Sequence, residues 1–220
     1  MDQQTWDAVD QYLSSHLVAP DEALDATLRA SDAAGLPAIA VTPNQGKLLY
    51  LLARMARARA ILEIGTLGGY STIWLGRALP SNGKLISLEA DAGHAAVAKE
   101  NVAGAGLADI VDIRVGRALD ILPQLRTDAP FDLVFVDADK QSNPDYFTWA
   151  LELSRPGTVI VVDNVVRGGA IAERDSNDPS VRGTQYMFDL MAAEPRVEAT
   201  ALQTVGGKGY DGLAIALVTG

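Results

Sequence analysis

The chain has 220 residues, of which 48% are hydrophobic and 21% are charged, so it can bury a full core within one domain. Its formal net charge is -10 at pH 7 and no Lys/Arg cluster is present, which argues against a nucleic-acid partner, because such proteins carry a basic stripe. The chain has no Cys, which excludes disulfides, thiolate catalysis and Cys-ligated metal centres.

The N-terminal part of the sequence is predicted to be helical. Three segments, 3–15, 21–34 and 44–58, have helical spacing, and Pro20 and Pro43 stand where helices begin. We expect residues 1–220 to form a single domain, with an N-terminal helical layer (1–58) covering one edge of an α/β core (59–220). No secretion signal or membrane-span pattern is apparent, so we expect a cytoplasmic protein without a membrane segment.

From residue 61 onward, apolar β-rich runs alternate with helical segments. The predicted strands are 61–64, 85–88, 110–115, 133–136 and 159–162, and the predicted helices are 71–79, 92–103, 118–125 and 144–153. Runs that are apolar on both faces are typical of parallel strands covered by helices. Two last strands, 197–204 and 213–218, are joined by a turn too short for a crossover and should form an antiparallel hairpin. The sequence thus predicts a doubly wound, mostly parallel seven-stranded sheet with a C-terminal antiparallel hairpin, in the α/β class.

A glycine-rich turn, LEIGTLGGYST, follows the first predicted strand, at the place where α/β folds bind nucleotides. It is not a phosphate-binding P-loop, because Tyr70 stands before Ser71 where Lys is required, and the dinucleotide pattern G-x-G-x-x-G is also absent. We therefore expect a ligand without a pyrophosphate. A turn of this kind can also serve packing alone.

Two glutamates point to the chemistry of that ligand. Glu63 lies inside the first strand, where a carboxylate is costly to bury unless it is paired, and a cationic ligand could offset the cost. Glu89 ends the second strand, 24 positions beyond Gly65, where an acidic side chain binds ribose hydroxyls in nucleotide-binding folds. An adenosine with a positively charged appendage fits both carboxylates, although Glu89 could also be a solvated turn residue.

Polar residues end the fourth and fifth predicted strands, in FDLVFVDADK and TVIVVDN. If these strands are neighbours, Asp137, Asp163 and Asn164 converge beyond their carboxyl ends. Two carboxylates and an amide oxygen suit a hard divalent cation, Mg²⁺ first and Mn²⁺ or Ca²⁺ next.

Lys140 follows Asp137 by three residues and could return its ammonium over the same place, to favour an oxyanion or accept a proton. The alternative for Lys140 is an ion pair with Asp137 or Asp139. For Asp139 itself we expect a helix N-cap.

The chain carries, in this order, LEIGTLGGYST, Glu89, FVDADK and VVDN. Together these motifs resemble the metal-dependent class I O-methyltransferases of the catechol and caffeoyl-CoA type, from about Val41 to the last strand. The resemblance implies a Rossmann-like fold, a homodimer and an S-adenosylmethionine site made of Val41, Thr42, Glu63, Gly65, Thr66, Ser71, Glu89, Ala90, Ala118 and Asp137.

Within that site the resemblance assigns the methionine part to the glycine-rich turn, the ribose hydroxyls to Glu89 and the adenine to the surroundings of Ala118. It also implies Asp137, Asp163 and Asn164 as metal ligands, and Lys140 beside Asp137 as the residue nearest to a general base. Two departures concern the acceptor side: Asn143 stands where relatives often have Tyr, and Arg167 where many plant members have Trp.

The predicted function is methyl transfer from S-adenosylmethionine to a hydroxyl of a catechol-like or caffeoyl-type aromatic acceptor, assisted by a divalent metal. The polar loop 173–180 is either an acceptor lid or an idle surface loop. Three alternatives remain: an NAD(P)-dependent oxidoreductase, an aspartate-nucleophile phosphotransferase that uses Asp137 and Asp139 as its D-x-D motif, and a non-catalytic nucleotide-binding module.

Overall fold

The computed structural model describes residues 2–220. Three helices come first: α1 (Gln3–Leu17), α2 (Glu22–Ala33) and α3 (Pro43–Met55). Each begins at a side chain that accepts a backbone N–H of its first turn, which satisfies a donor that the helix itself leaves unpaired; these caps are Asp2, Asp21 and Thr42.

Seven strands form one sheet: β1 (Ala60–Ile64), β2 (Lys84–Glu89), β3 (Val111–Val115), β4 (Leu133–Val136), β5 (Val159–Asp163), β6 (Val197–Gly206) and β7 (Gly209–Val218). The helices among them are α4 (Tyr70–Ala78), α5 (Ala92–Gly104), α6 (Ala118–Ile121), α7 (Asn143–Glu152) and α8 (Pro179–Ala193). The strand order is β3-β2-β1-β4-β5-β7-β6, and only the pairs that include β7 are antiparallel. The predicted fold is therefore confirmed, including the C-terminal hairpin.

The central strands bury both faces. Alternate residues such as Leu62 and Ile64 pack into one apolar cluster with α6, α7 and α8, whereas Ile61 and Phe135 pack into a second cluster with α2 to α5. Because side chains alternate between the two faces of a strand, both sets must be apolar. This two-sided burial explains why the strands appear in the sequence as continuous apolar runs.

Helix α8 was not predicted. Its buried face includes Gly183 and Thr184 beside Val181 and Met187, so the apolar pattern of an amphipathic helix is interrupted. Gly183 is required by packing, because a Cβ there would lie 2.5 Å from the carbonyl oxygen of Lys140. The same contact fixes α8 against the segment that carries Lys140.

Other differences concern the ends of elements. The hairpin turn is tighter than predicted, since Gly206 pairs with Gly209 and only two residues lie between them. Helix α6 ends at Ile121 and continues as a 3₁₀ helix over Leu122–Thr127, since Pro123 cannot donate an α-helical hydrogen bond.

The three N-terminal helices, expected to form one layer, pack against two different parts of the core. Helices α2 and α3 pack on α4 and α5, whereas α1 contacts α3 and the hairpin strand β6. Within residues 2–220, no helix is both long and apolar enough to cross a membrane.

Candidate active site

The residues singled out in the sequence gather at the carboxyl ends of the central strands. Strand β4 lies between β1 and β5, and Val136 pairs with Ile64 on one side and Val162 on the other. Gly65 and Asp137 follow β1 and β4 directly and Asp163 is the last residue of β5, so the three residues meet at one edge of the sheet, where open α/β sheets bind their ligands.

The turn after β1 has an unusual backbone that leads into α4. Gly65 and Gly69 have φ values of +102° and +86°, which glycine adopts without a steric penalty, and Leu67 has a φ of +51°. Asn101 on α5 donates its side-chain N–H to the carbonyl oxygen of Gly68 over 2.9 Å. The conformation of the turn is thus stabilised by a hydrogen bond from α5 as well as permitted by its glycines.

Glu63 is fully buried on β1, on the face that α4 covers. It accepts hydrogen bonds from the hydroxyls of Ser71 and Ser87, each at 2.6 Å, and from the hydroxyl of Thr72. Burial raises the pKa of Glu63 to about 7, although these hydroxyls lower it, and the nearby charge of Asp137 raises it further. Protein hydroxyls therefore partly offset the burial cost that the sequence prediction assigned to a cationic ligand.

Glu89 connects the end of β2 to the glycine-rich turn. One of its carboxylate oxygens accepts the backbone N–H of Leu67 at 2.8 Å and that of Thr66 at 3.2 Å, and the other accepts the N–H of Asp91 at 2.9 Å. Charge-assisted bonds of this kind are stronger than neutral ones. Glu89 thus shapes the turn itself, which the sequence did not reveal.

The remaining residues predicted to bind S-adenosylmethionine lie before α3, after β2 and at the start of α6. Val41 is buried just before α3, and Thr42 caps that helix by accepting the N–H of Gln45 at 3.2 Å. Ala90 is exposed after β2, and Ala118 is buried at the start of α6.

The acidic centre contains a buried cation and two carboxylates. Lys140 Nζ lies 2.7 Å from Asp137 Oδ1, and the Lys140 side chain is only 8% exposed. Burial, and next the charge of Asp137, raise the pKa of Asp163 to about 6, whereas Lys140 acts in the opposite direction. The expected ion pair between Lys140 and Asp137 is present, and Asp137 and Asp163 stand at the carboxyl ends of the neighbouring strands β4 and β5.

Asn164 completes the predicted metal-ligand set. It follows Asp163 directly, is partly exposed and has a φ of +54°, and its backbone N–H donates to Asp163 Oδ1 over 2.8 Å. Two carboxylates and one carboxamide oxygen are hard ligands, and a divalent cation between the carboxylates would relieve their repulsion. The residues present therefore fit a hard divalent cation.

Two neighbouring residues differ from their predicted roles. Asp139 occupies the N-cap position of a 3₁₀ turn but makes no capping bond; it accepts the hydroxyls of Ser142 and Tyr146 instead. Asn143, which was expected on the acceptor side, has a fully buried side chain that donates to Thr184 Oγ1 over 3.3 Å. It serves the contact between α7 and α8.

Two residues near the acidic centre were missed. The Gln45 side chain lies beside Asp163 and lowers its pKa, and desolvation lowers the pKa of Lys208, although the charges of Asp137 and Asp163 act in the opposite direction. Gln45 precedes the sheet in the chain and Lys208 lies in the hairpin turn, so only the folded chain brings them here. No sequence signal near the strand ends points to either residue.

A sheet of this strand order, with an antiparallel seventh strand and a glycine-rich turn after β1, has the S-adenosylmethionine-dependent methyltransferase fold. The chain belongs to the O-methyltransferase family, whose model matches residues 14–217.

Several relatives place the chain within this family. It is 52% identical over 220 residues to a catechol O-methyltransferase of Niastella koreensis, covering 99% of this chain and 100% of the relative. An O-methyltransferase from Bacillus cereus, solved in complex with SAH, is 55% identical with a TM-score of 0.97, covering 99% of this chain and 100% of that one.

The O-methyltransferase TomG from Streptomyces achromogenes, involved in tomaymycin synthesis and solved with SAM, is also 55% identical with a TM-score of 0.97. The match covers 100% of both chains. Membership of this family decides against the oxidoreductase and phosphotransferase alternatives.

Proposed function

We propose that this O-methyltransferase takes its methyl group from S-adenosylmethionine and transfers it to a hydroxyl of a catechol-like or caffeoyl-type aromatic acceptor, with the help of a divalent metal. The observation that carries the proposal is the meeting of Asp137, Asp163 and Asn164 beside the glycine-rich turn. The catechol O-methyltransferase of Niastella koreensis and the structures solved with SAH and SAM support it.

The donor would bind along the carboxyl ends of β1 and β2. We assign it to Val41, Thr42, Glu63, Gly65, Thr66, Ser71, Glu89, Ala90, Ala118 and Asp137. Because Glu63 is fully buried behind Ser71, it acts on the methionine part through the Ser71 hydroxyl and through its own charge. Bound S-adenosylmethionine supplies an electrophilic methyl group on a sulfonium, and the fixed turn holds it in place for attack.

The metal, Mg²⁺ first and Mn²⁺ or Ca²⁺ next, would be held by the carboxylates of Asp137 and Asp163 and the carboxamide oxygen of Asn164. A bound divalent cation lowers the pKa of a coordinated hydroxyl and orients it. An acceptor with two adjacent hydroxyls can offer both to one cation, which favours vicinal diols. All three proposed metal ligands are hard oxygen atoms, which supports this assignment.

Lys140 would act in one of two forms: a neutral Nζ would accept the acceptor proton, whereas an ammonium would stabilise the phenolate left after the proton has gone to solvent. The Lys140 side chain is 8% exposed and its Nζ is held by Asp137, so it stays beside the place where a phenolate would form. A fixed cation favours a developing oxyanion without reorganisation. Asp137 thus has three parts in the proposal, as a metal ligand, as the partner that orients Lys140 and as a residue of the donor site.

The acceptor would enter past the segment that follows Asn164. Arg167 is partly exposed there. Of the predicted loop 173–180, residues 173–178 are mostly exposed and residues 179–180 begin α8. We assign this loop as the acceptor lid, since exposed polar loops that border a site are often mobile.

The decisive experiment measures methyl transfer from labelled S-adenosylmethionine to catechol and to its isomer resorcinol, whose hydroxyls are not adjacent. Reactions contain Mg²⁺ or excess EDTA, and the wild type and Asp163→Ala are compared with Asp189→Ala, an exposed aspartate on α8. We expect product only with catechol and Mg²⁺, and only from the wild type and the Asp189 variant. Donor binding without any methylation would support the non-catalytic module, and EDTA-resistant transfer would remove the metal from the proposal.

We also propose a cytoplasmic homodimer. Helix α1 has no buried residue and exposes Val9, Tyr12 and Leu17, a set of apolar side chains that a second copy could cover. Sedimentation of the wild type beside Tyr12→Ser tests the assembly: the dimer should weaken in the variant, and a monomeric wild type would contradict it.

A further inference from the structure

One carboxylate oxygen of Asp211, on β7, accepts three backbone N–H groups. They belong to Val166 at 2.9 Å, Arg167 at 3.0 Å and Gly212 at 2.9 Å. Two of the three donors come from the segment that directly follows Asn164. Asp211 therefore ties the loop after β5 to the neighbouring strand.

The other N–H groups of this loop are also bonded. Asn164 donates to Asp163 Oδ1 over 2.8 Å, and Val165 donates to the carbonyl oxygen of Gly212 over 3.0 Å. Every backbone donor from residue 164 to residue 167 is thus fixed. Strand β7 comes close here, because a Cβ on Gly212 would lie 2.5 Å from Val166 Cγ2.

This bonding matters because the loop is strained. Asn164 and Arg167 have φ values of +54° and +57°, in the left-handed region that residues other than glycine rarely adopt. Such conformations persist only where the surrounding structure determines them. The Asp211 carboxylate, facing consecutive N–H groups, supplies that constraint through charge-assisted bonds.

We infer that Asp211 is a positioning residue that sets the backbone from Asn164 to Arg167 and so presents the Asn164 carboxamide to the metal. The inference rests on the proposed metal site. Asp211 does not ligate the metal; it acts through the backbone of the loop. Groups that orient metal ligands typically change metal affinity about tenfold to a hundredfold when they are replaced.

The test uses the full chain, with Mn²⁺ alone as the metal probe. Asp211→Asn keeps the size of the side chain but removes the charge, and Asp189→Asn, on the exposed face of α8, is the matched control. Mn²⁺ affinity is measured by electron paramagnetic resonance and SAH affinity by calorimetry. We expect D211N to weaken Mn²⁺ binding at least about tenfold while both variants bind SAH within about twofold of the wild type.

A second measurement does not depend on the variant. In the wild type, the amide protons of Val166 and Arg167 should exchange with solvent slowly, and in D211N faster. Free exchange of these amides in the wild type would overturn the inference even if D211N did not fold.

The outcomes separate the inference from the proposed function. If the wild type binds Mn²⁺ and D211N binds it equally well, only the inference fails. Parallel loss of Mn²⁺ and SAH binding in D211N would make Asp211 a general stabilising residue and would also overturn it. A wild type that binds no Mn²⁺ would refute the metal site, and the inference with it.

Discussion

Gly65 and Asp137 approach so closely that a Cβ on residue 65 would lie 2.3 Å from the carbonyl oxygen of Asp137. This contact joins the turn proposed to bind the donor to the strand end proposed to bind the metal. Since it involves backbone on both sides, neither residue can move without the other.

Replacement of Gly65 by Ala should therefore damage both halves of the site. The Cβ meets backbone that cannot rotate away, and the φ of +102° is strained for Ala. We expect a loss of about 3 kcal/mol or more in unfolding free energy, with weakened SAH binding, measured by urea unfolding and calorimetry. Gly104→Ala, where a Cβ would meet nothing within 4 Å, should be neutral or stabilising, and equal effects of the two changes would refute the argument.

Glu63 should make stability depend on pH. Its pKa is raised from 4.5 to about 7 in the folded protein, so between these values the unfolded chain loses the proton while the folded chain keeps it. The unfolding free energy should then fall by about 3 kcal/mol as the pH rises through this window and change no further above pH 7.

Urea unfolding at pH 5 and pH 8 tests this for the wild type, Glu63→Gln and the exposed control Glu100→Gln. The wild type and the control should share the decline, and Glu63→Gln should keep only the smaller part that the raised pKa of Asp163 contributes, because an amide does not titrate. A decline of the same size in all three proteins would assign it to other groups.

Asp163→Asn should raise the stability of the metal-free protein and lower its methylation activity. The carboxylate is buried beside Asp137, so a neutral side chain of the same size relieves repulsion. Without metal we expect a gain of about 1–2 kcal/mol by thermal unfolding, and with Mg²⁺ a loss of methylation of about 100-fold or more. Asp189→Asn, on the exposed face of α8, should change neither quantity, and a variant of Asp163 less stable than the metal-free wild type would contradict the electrostatic explanation.

Lys140→Met should lower kcat about 10²-fold to 10⁴-fold while SAH affinity stays within about twofold, because the donor site does not need the ammonium. Lys84→Met is the control: Lys84 forms a more exposed ion pair with Asp128 at the amino end of β2, worth less than about 1 kcal/mol. Steady-state kinetics across pH decides whether Lys140 takes part in proton transfer or only forms the ion pair with Asp137. A kcat reduced by less than about tenfold, with an unchanged pH profile, would leave it only the ion pair.

The sheet and the positions of the site were predictable because both depend on local patterns. Two-sided burial makes β1, β4 and β5 continuous apolar runs, and the residues after parallel strands must share one edge. Asp137, Asp163 and the glycine-rich turn could therefore be placed together before any coordinates.

What escaped prediction depends on contacts between distant parts of the chain. Thr72 and Ser87 meet Glu63 only when α4 and β2 pack on β1, so neither could be assigned to it from the sequence. Helix α8 was missed because Gly183 interrupts its apolar face. A glycine is needed at this position because the backbone of Lys140 leaves no room for a side chain. Asp211 lies in the turn predicted between the last two strands, and its role escaped prediction because two of its three donors, Val166 and Arg167, come from the loop after β5.

The strand order also bears on how such an enzyme can diversify. The groups assigned to S-adenosylmethionine lie between Val41 and Asp137, most of them on β1, β2 and the segments before them, whereas the loop between Asn164 and α8 comes after all of them. Substitutions in residues 168–178 can therefore accumulate without touching the donor pocket. Natural variation in this short stretch should track the range of acceptors among closely related enzymes, while the turn after β1 stays nearly constant.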